Sequence, residues 1–174
     1  YGMRGGGGVG HAAVARRGEQ AGVAALYSSG AGLANCTAGL PDIGLLTLNE
    51  VTTLAAFIAR AVDIQTIGDA DTGFGGAENT GRTIYELERA GLAGCHLEDQ
   101  EFPKRCGHLA GKRLVPTDEM EAKIRAAVAA QTGHDFLVTA RTDSPPPGNF
   151  ASAVHGENAS AQAGADSQFH EGVS

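Results

Sequence analysis

The sequence predicts an α/β fold built on a parallel sheet, and three observations predict it. Short apolar runs alternate with amphipathic helical stretches along the 174 residues, the pattern of successive βαβ units. Polar residues recur at the C-terminal end of each run: Ser28-Ser29, Asp69-Ala70-Asp71, Glu98-Asp99 and Arg141-Thr142-Asp143. A (β/α)₈ barrel gathers its active site at that end of the strands, and so does an open doubly wound sheet. No G-x-G-x-x-G or Walker sequence stands at a strand–helix turn, which counts against a nucleotide fold.

The elements follow in order. Val23–Ser28 reads as a buried strand that runs into a Ser29–Gly32 loop. Thr47-Leu48-Asn49-Glu50 is a capping box, with threonine at the N-cap and glutamate three residues on. The helix it opens places Val51, Leu54, Ala55 and Ile58 on one face. Ile64–Gly68 is a second strand. A helix over about Glu78–Ala90 stops at Gly91, a C′ glycine. Cys95–Leu97 is a third strand. Pro116-Thr117-Asp118-Glu119 starts a helix whose acids suit its N-terminal dipole, with Met120, Ile124 and Val128 as the apolar seam. Phe136–Ala140 is a fourth strand. An alanine-rich helix follows Pro145-Pro146-Pro147-Gly148-Asn149, and Ala165–Phe169 is a weak fifth strand. At the start, Met3–Gly8 stands where a first apolar strand belongs, and four consecutive glycines resist strand order.

Composition narrows the function. The net charge of −7 and pI of about 5.3 leave no electrostatic footprint for nucleic acid or an anionic membrane. No apolar stretch approaches the roughly 20 residues of a membrane span, and no signal-peptide pattern opens the chain. Cys36, Cys95 and Cys106 are an odd number without CxxC spacing. That fits a reducing compartment, cytoplasm or organelle matrix, better than a disulfide framework or a zinc site.

Cys106 is the most informative residue. It lies within Lys104-Arg105-Cys106-Gly107-His108, where neighbouring positive charge favours thiolate and readies the thiol for proton transfer. The alternative, a small buried thiol, suits Cys36 and Cys95 in their apolar surroundings better than a polar loop. Asp69 and Asp71 share one side of an extended strand end. With Glu98 they form an all-oxygen cluster suited to Mg²⁺, the alternative being a solvated acidic loop. Arg141 is placed to fork a carboxylate. His96 reads equally as a core histidine or a site residue, and Tyr27 as core filling or a strand-end group. His11, His134, His155 and His170 give no spacing signal.

Six motifs in sequence order carry a family resemblance: Tyr27-Ser28-Ser29-Gly30-Ala31-Gly32, Gly39-Leu40-Pro41-Asp42, Asp69-Ala70-Asp71-Thr72-Gly73-Phe74-Gly75, His96-Leu97-Glu98-Asp99-Gln100, Lys104–His108 and Ala140-Arg141-Thr142-Asp143. Together they resemble the isocitrate lyase/phosphoenolpyruvate mutase superfamily, within it the methylisocitrate lyase branch. The resemblance spans about 21–143 and weakens over 151–171. The Cys106 pentapeptide points to the lyases rather than the phosphonate mutases, and the short interval from Asp42 to Asp69 points away from true isocitrate lyases. Dimethylmalate lyases and oxaloacetate hydrolases share much of the pattern.

The resemblance implies a (β/α)₈ barrel, a homotetramer, and Mg²⁺-dependent (or Mn²⁺-dependent) retro-aldol cleavage of a di- or tricarboxylate 2-hydroxy acid. It implies metal binding by Asp69, Asp71, Glu98 and Asp42. It implies Cys106 as proton donor, tuned by Lys104 and His108, and Tyr27 as base beside Arg141 and Glu171. Substrate carboxylates would meet Arg141, Glu171 and the backbone at Ser29, Gly30, Ala31 and Gly107. A barrel of this type needs about 250 residues. The expectation is therefore one barrel domain over 1–174, without the last strands and C-terminal helices of the family; a non-catalytic relative is the competing reading.

Overall fold

The computed structural model describes residues 7–107, 109, 111–133, 135–143 and 150–171, with the backbone alone over 150–155. Met3–Gly6, His108, His134 and the 145–149 stretch singled out above lie outside the described residues.

Six parallel strands form one sheet in the order β1 (Gly7–Val9), β2 (Ala25–Ser28), β3 (Gln65–Asp69), β4 (Gly94–Glu98), β5 (Leu137–Thr142) and β6 (Ser167–His170). The helices are α1 (Ala12–Gln20), the short turn α2 (Gly30–Gly32), α3 (Leu48–Ala59), α4 (Ala77–Arg89), α5 (Thr117–Ala130) and α6 (Phe150–Gln162). The strand order never reverses, so the sheet has no switch point of the doubly wound kind.

The sheet is also curved. The His96 ring on β4 lies 4.9 Å from Tyr27 on β2 and 5.3 Å from Phe169 on β6. Strands two apart in a flat sheet stand about 9.5 Å from each other. Side chains from alternate strands therefore lean together on a concave face, as the layers inside a (β/α) barrel do.

The opposite face packs against the helices. Ile84 and Leu87 of α4, Ile124 of α5, and Leu97 and Val138 of β4 and β5 form one buried cluster. Leu26, Leu33, Val51 and Ile58 form a second. Each fully buried side chain of this size contributes about 1.5–3 kcal/mol. The capping box at Thr47 is formed: its side chain accepts from the Glu50 amide, and the Glu50 carboxylate accepts from the Thr47 amide at 2.8 Å.

The structure departs from the sequence expectation in four places. Gly7–Val9 does form a first strand, because β2 supplies a parallel ladder (Gly7↔Leu26 to Val9↔Ser28) that offsets the backbone freedom of glycine. The expected Ser29–Gly32 loop is the helical turn α2, which runs on as a π-helix over Leu33–Ala38. Cys36 on that π-helix is exposed rather than in an apolar core. In α5 the buried seam is Met120, Lys123, Ile124 and Ala127, with Val128 only partly buried; the Lys123 ammonium reaches the Thr72 carbonyl at 3.2 Å.

Candidate active site

The C-terminal ends of β2 to β6 hold the polar residues. At the end of β2, the Ser29 hydroxyl caps α2 by accepting from the Gly32 amide. The Gly30 amide donates to Asp69 Oδ2 at 3.0 Å. A Cβ on Gly30 would sit 2.9 Å from Asp69 Oδ2 and 3.3 Å from Asp71 Oδ1, so the absence of a side chain there is what lets the backbone reach both acids. Asp69 Oδ1 accepts from the Asp71 amide at 3.1 Å. Asp71 itself sits in the left-handed region, at φ 45°. Aspartate tolerates that region better than most residues, and strain of this kind collects at functional sites.

Glu98 at the end of β4 is 2 % exposed, and its Oε1 has no hydrogen-bond partner among the described residues. Burial, and then the Asp69 charge, push the Glu98 carboxyl well above its ordinary value. The same two causes push Asp71 up to about 6.

Lys104 answers this charge. Its ammonium lies 2.5 Å from Asp42 Oδ1 and 2.6 Å from Asp71 Oδ1, and the residue is 4 % exposed. The Asp71 contact is an ion pair without hydrogen-bond alignment. Burial would lower the Lys104 ammonium, but Asp71, Asp69 and Glu98 outweigh it and hold it raised. Lys104 thus belongs to the acidic cluster, where the sequence placed it beside Cys106.

Arg141 closes the other side. Its Nε and Nη2 donate to Asp143 at 3.0 and 2.9 Å, and Nη2 stands 3.5 Å from Glu98 Oε2 and 3.7 Å from Glu171 Oε2. The fork expected for a substrate carboxylate is thus turned onto Asp143, while Nη2 also faces Glu98 and Glu171. A Cβ on Gly107 would meet Arg141 Nη2 at 2.5 Å and Glu171 Cγ at 2.7 Å. Gly107, Arg141 and Glu171 therefore stand together. Cys106 is half-buried in the same turn, whose Cys106 carbonyl accepts from the Leu109 amide.

The substrate-binding amides fare differently. Ser29 donates to the Val9 carbonyl and Gly30 to Asp69, so both are already engaged. Tyr27 is half-buried, its hydroxyl oxygen fully buried and without a hydrogen-bond partner among the described residues. Burial first, and Asp69 second, raise that hydroxyl far above its ordinary value. His96 is held between the Tyr27 and Phe169 rings, and burial lowers it.

Several supporting residues had no role from sequence. Lys112 donates to the Gly107 carbonyl at 3.0 Å and to Asp143 Oδ1 at 2.8 Å, tying the Cys106 turn to the Arg141 clamp. Asp99 accepts from the Thr142 hydroxyl and the Asp143 amide. The Gln100 side chain bonds both the amide and the carbonyl of Arg105 at 2.9 and 2.8 Å, shaping the approach to Cys106. Asp99 and Asp143 carried a signal as strand-end acids. Lys112 carried none, because it acts from an irregular segment across 31 residues of sequence.

Among the described residues, no three His, Cys, Asp or Glu side chains close a cage around one point. A magnesium ion needs no such cage, since it binds through one or two carboxylates with waters and substrate. The donors are hard oxygens, and Glu98 Oε1 is buried and unpaired. The residues fit such an ion.

The family model described as phosphoenolpyruvate phosphomutase matches residues 11–174. A probable 2-methylisocitrate lyase of Corynebacterium glutamicum is 49% identical over 160 residues, 92% of this chain and 52% of that protein. A crystal structure of 2,3-dimethylmalate lyase, a member of the PEP mutase/isocitrate lyase superfamily, superimposes with a TM-score of 0.92 at 43% identity, over 97% of this chain and 57% of that one. A phosphonopyruvate hydrolase in complex with oxalate and Mg²⁺ superimposes with a TM-score of 0.84 at 31% identity, over 95% of this chain and 57% of that one. The chain spans about half the length of the curated relatives it matches.

Proposed function

The chain belongs to the phosphoenolpyruvate phosphomutase family, within the isocitrate lyase superfamily, and from that premise we propose that it is a Mg²⁺-dependent carbon–carbon lyase. The substrate is 2-methylisocitrate or a close 2-hydroxy tricarboxylate, and the products are succinate and an α-keto acid. The observation that carries this reading is the juxtaposition, at one end of the sheet, of a buried acidic cluster with Arg141 and the Cys106–Gly107 turn. The relatives named as methylisocitrate lyases support it.

Asp69, Asp71 and Glu98 would hold the cation, with Asp42 beside them. Once bound, the ion supplies positive charge against the oxyanion of the departing keto acid. Tyr27, as phenolate after losing its own proton to solvent, would take the substrate hydroxyl proton; burial first, and the Asp69 charge second, oppose that ionised form. The C–C bond then breaks, and its electron pair passes to the carbon that becomes the succinate α-carbon. Cys106 delivers a proton to that carbon. Arg141, held rigid by Asp143, faces the carboxylate end of the substrate with Glu171 alongside. His108, two residues after Cys106 in the sequence, completes the set that the family resemblance implies.

Positioned proton transfer contributes about 10²–10⁴-fold, so Cys106→Ser lowers succinate formation by that factor while thermal stability stays at the wild-type level. Near-wild-type turnover in Cys106→Ser would remove the acid assignment. Parallel assays with isocitrate, 2,3-dimethylmalate and oxaloacetate fix the substrate, since each releases a different pair of products.

A further inference from the structure

We propose that Lys104 is a built-in competitor of the divalent cation: its ammonium neutralises the acidic cluster of the metal-free protein and must leave Asp71 for the ion to bind. This rests on the metal-site reading above and goes beyond it, because it assigns a role to a residue that is neither metal ligand nor proton donor.

Three observations carry the inference. The Lys104 ammonium lies within 2.6 Å of both Asp42 and Asp71, and the side chain is almost wholly buried. A buried acid cluster without a cation is costly, so some positive charge must stand in it. The three residues come from three different connections, those after the π-helix, after β3 and after β4. The ion pairs therefore pin the start of the Cys106 segment to the acidic site. Gln100 fixes the backbone of Arg105 next door, so movement of Lys104 is transmitted to that segment.

Competition is reciprocal: whatever the ammonium loses when a cation binds, the cation loses while the ammonium stays. Removing the ammonium without removing the carboxylates should therefore tighten divalent binding and weaken the metal-free fold. Free Mn²⁺ measured by electron paramagnetic resonance reports binding without any turnover. Lys104→Gln should bind Mn²⁺ about tenfold tighter than wild type or more. Arg113→Gln, which removes one exposed positive charge paired with Glu101, should bind within about twofold of wild type and so controls for net charge. Equal affinities in Lys104→Gln and wild type, both binding, would overturn the competitor role and leave the metal site standing. No binding in either would overturn the metal site and this inference with it.

A measurement on the wild-type chain covers the case in which Lys104→Gln does not fold. Acetylation of Lys104, followed by mass spectrometry, should be several-fold faster in saturating MgCl₂ than in its absence, relative to Lys123. Unchanged or slower labelling of Lys104 contradicts its displacement.

Discussion

At the scale of single residues, the site is governed by close approach. Gly107 packs its Cα against Arg141 and Glu171. Gly107→Ala must push the guanidinium or the turn aside, and misplacement on the order of 1 Å can cost about 100-fold in rate. The expected outcome is a kcat/KM lower by roughly two orders of magnitude with a melting temperature near wild type; steady-state kinetics beside calorimetry separates the two. The candidate residues were legible from sequence because Asp69, Glu98 and Arg141 stand in the last residues of strands, and Asp71 and Cys106 in the connections that follow. Their pairings were not. That Lys104 turns to Asp42 and Asp71 instead of toward Cys106 depends on the path of an irregular segment, which carries no periodic signal. Arg141 and Asp143 share one face through their i, i+2 spacing, but that spacing alone does not say that the two pair with each other.

At the scale of elements, α3 is the best test of local reasoning. Its capping box was readable from Thr47 and Glu50 alone and is formed. Thr47→Ala removes both hydroxyl contacts and costs about 1 kcal/mol, a fall in melting temperature of roughly 2–4 °C for a chain of this size. Because Thr47 is exposed and its hydroxyl bonds only Glu50 among the described residues, kcat and KM should not move. Strands were harder. β1 consists of Gly7, Gly8 and Val9; the two glycines resist strand order, and the strand exists because β2 offers a ladder. The seam of α5 was read correctly at Met120 and Ile124. Val128 packs against the same cluster but is only partly buried, while Ala127 and Lys123 are buried, the latter reaching the Thr72 carbonyl; a helical wheel assigns a lysine outward.

At the scale of the whole molecule, the alternation of elements gave the parallel sheet. The choice of barrel over open sheet needed either the motif resemblance or the observed strand order and the Tyr27–His96–Phe169 layer. A molecule that buries several acids together must also show it in its stability. Asp71 is raised from 3.8 to about 6, and Glu98 is raised as well. Between those values the folded state holds protons that the unfolded state has lost. The contribution of these groups is therefore full below pH about 4 and is lost as pH rises through about 6. Metal-free protein should show this as a downward slope of melting temperature with pH over that window, flattened in Asp71→Asn. MgCl₂ should raise the melting temperature more at pH 7 than at pH 5, because the ion binds the ionised carboxylates. A magnesium effect that is larger at pH 5 would place the ion elsewhere.

The most direct test of the central claim is product analysis by proton NMR: the purified 174-residue chain is incubated with 2-methylisocitrate, with and without MgCl₂. The predicted result is equimolar succinate and pyruvate that appear with MgCl₂ and are abolished by a chelator. Intact substrate in the presence of MgCl₂, from protein shown to be folded, would contradict the assignment of this chain as a carbon–carbon lyase.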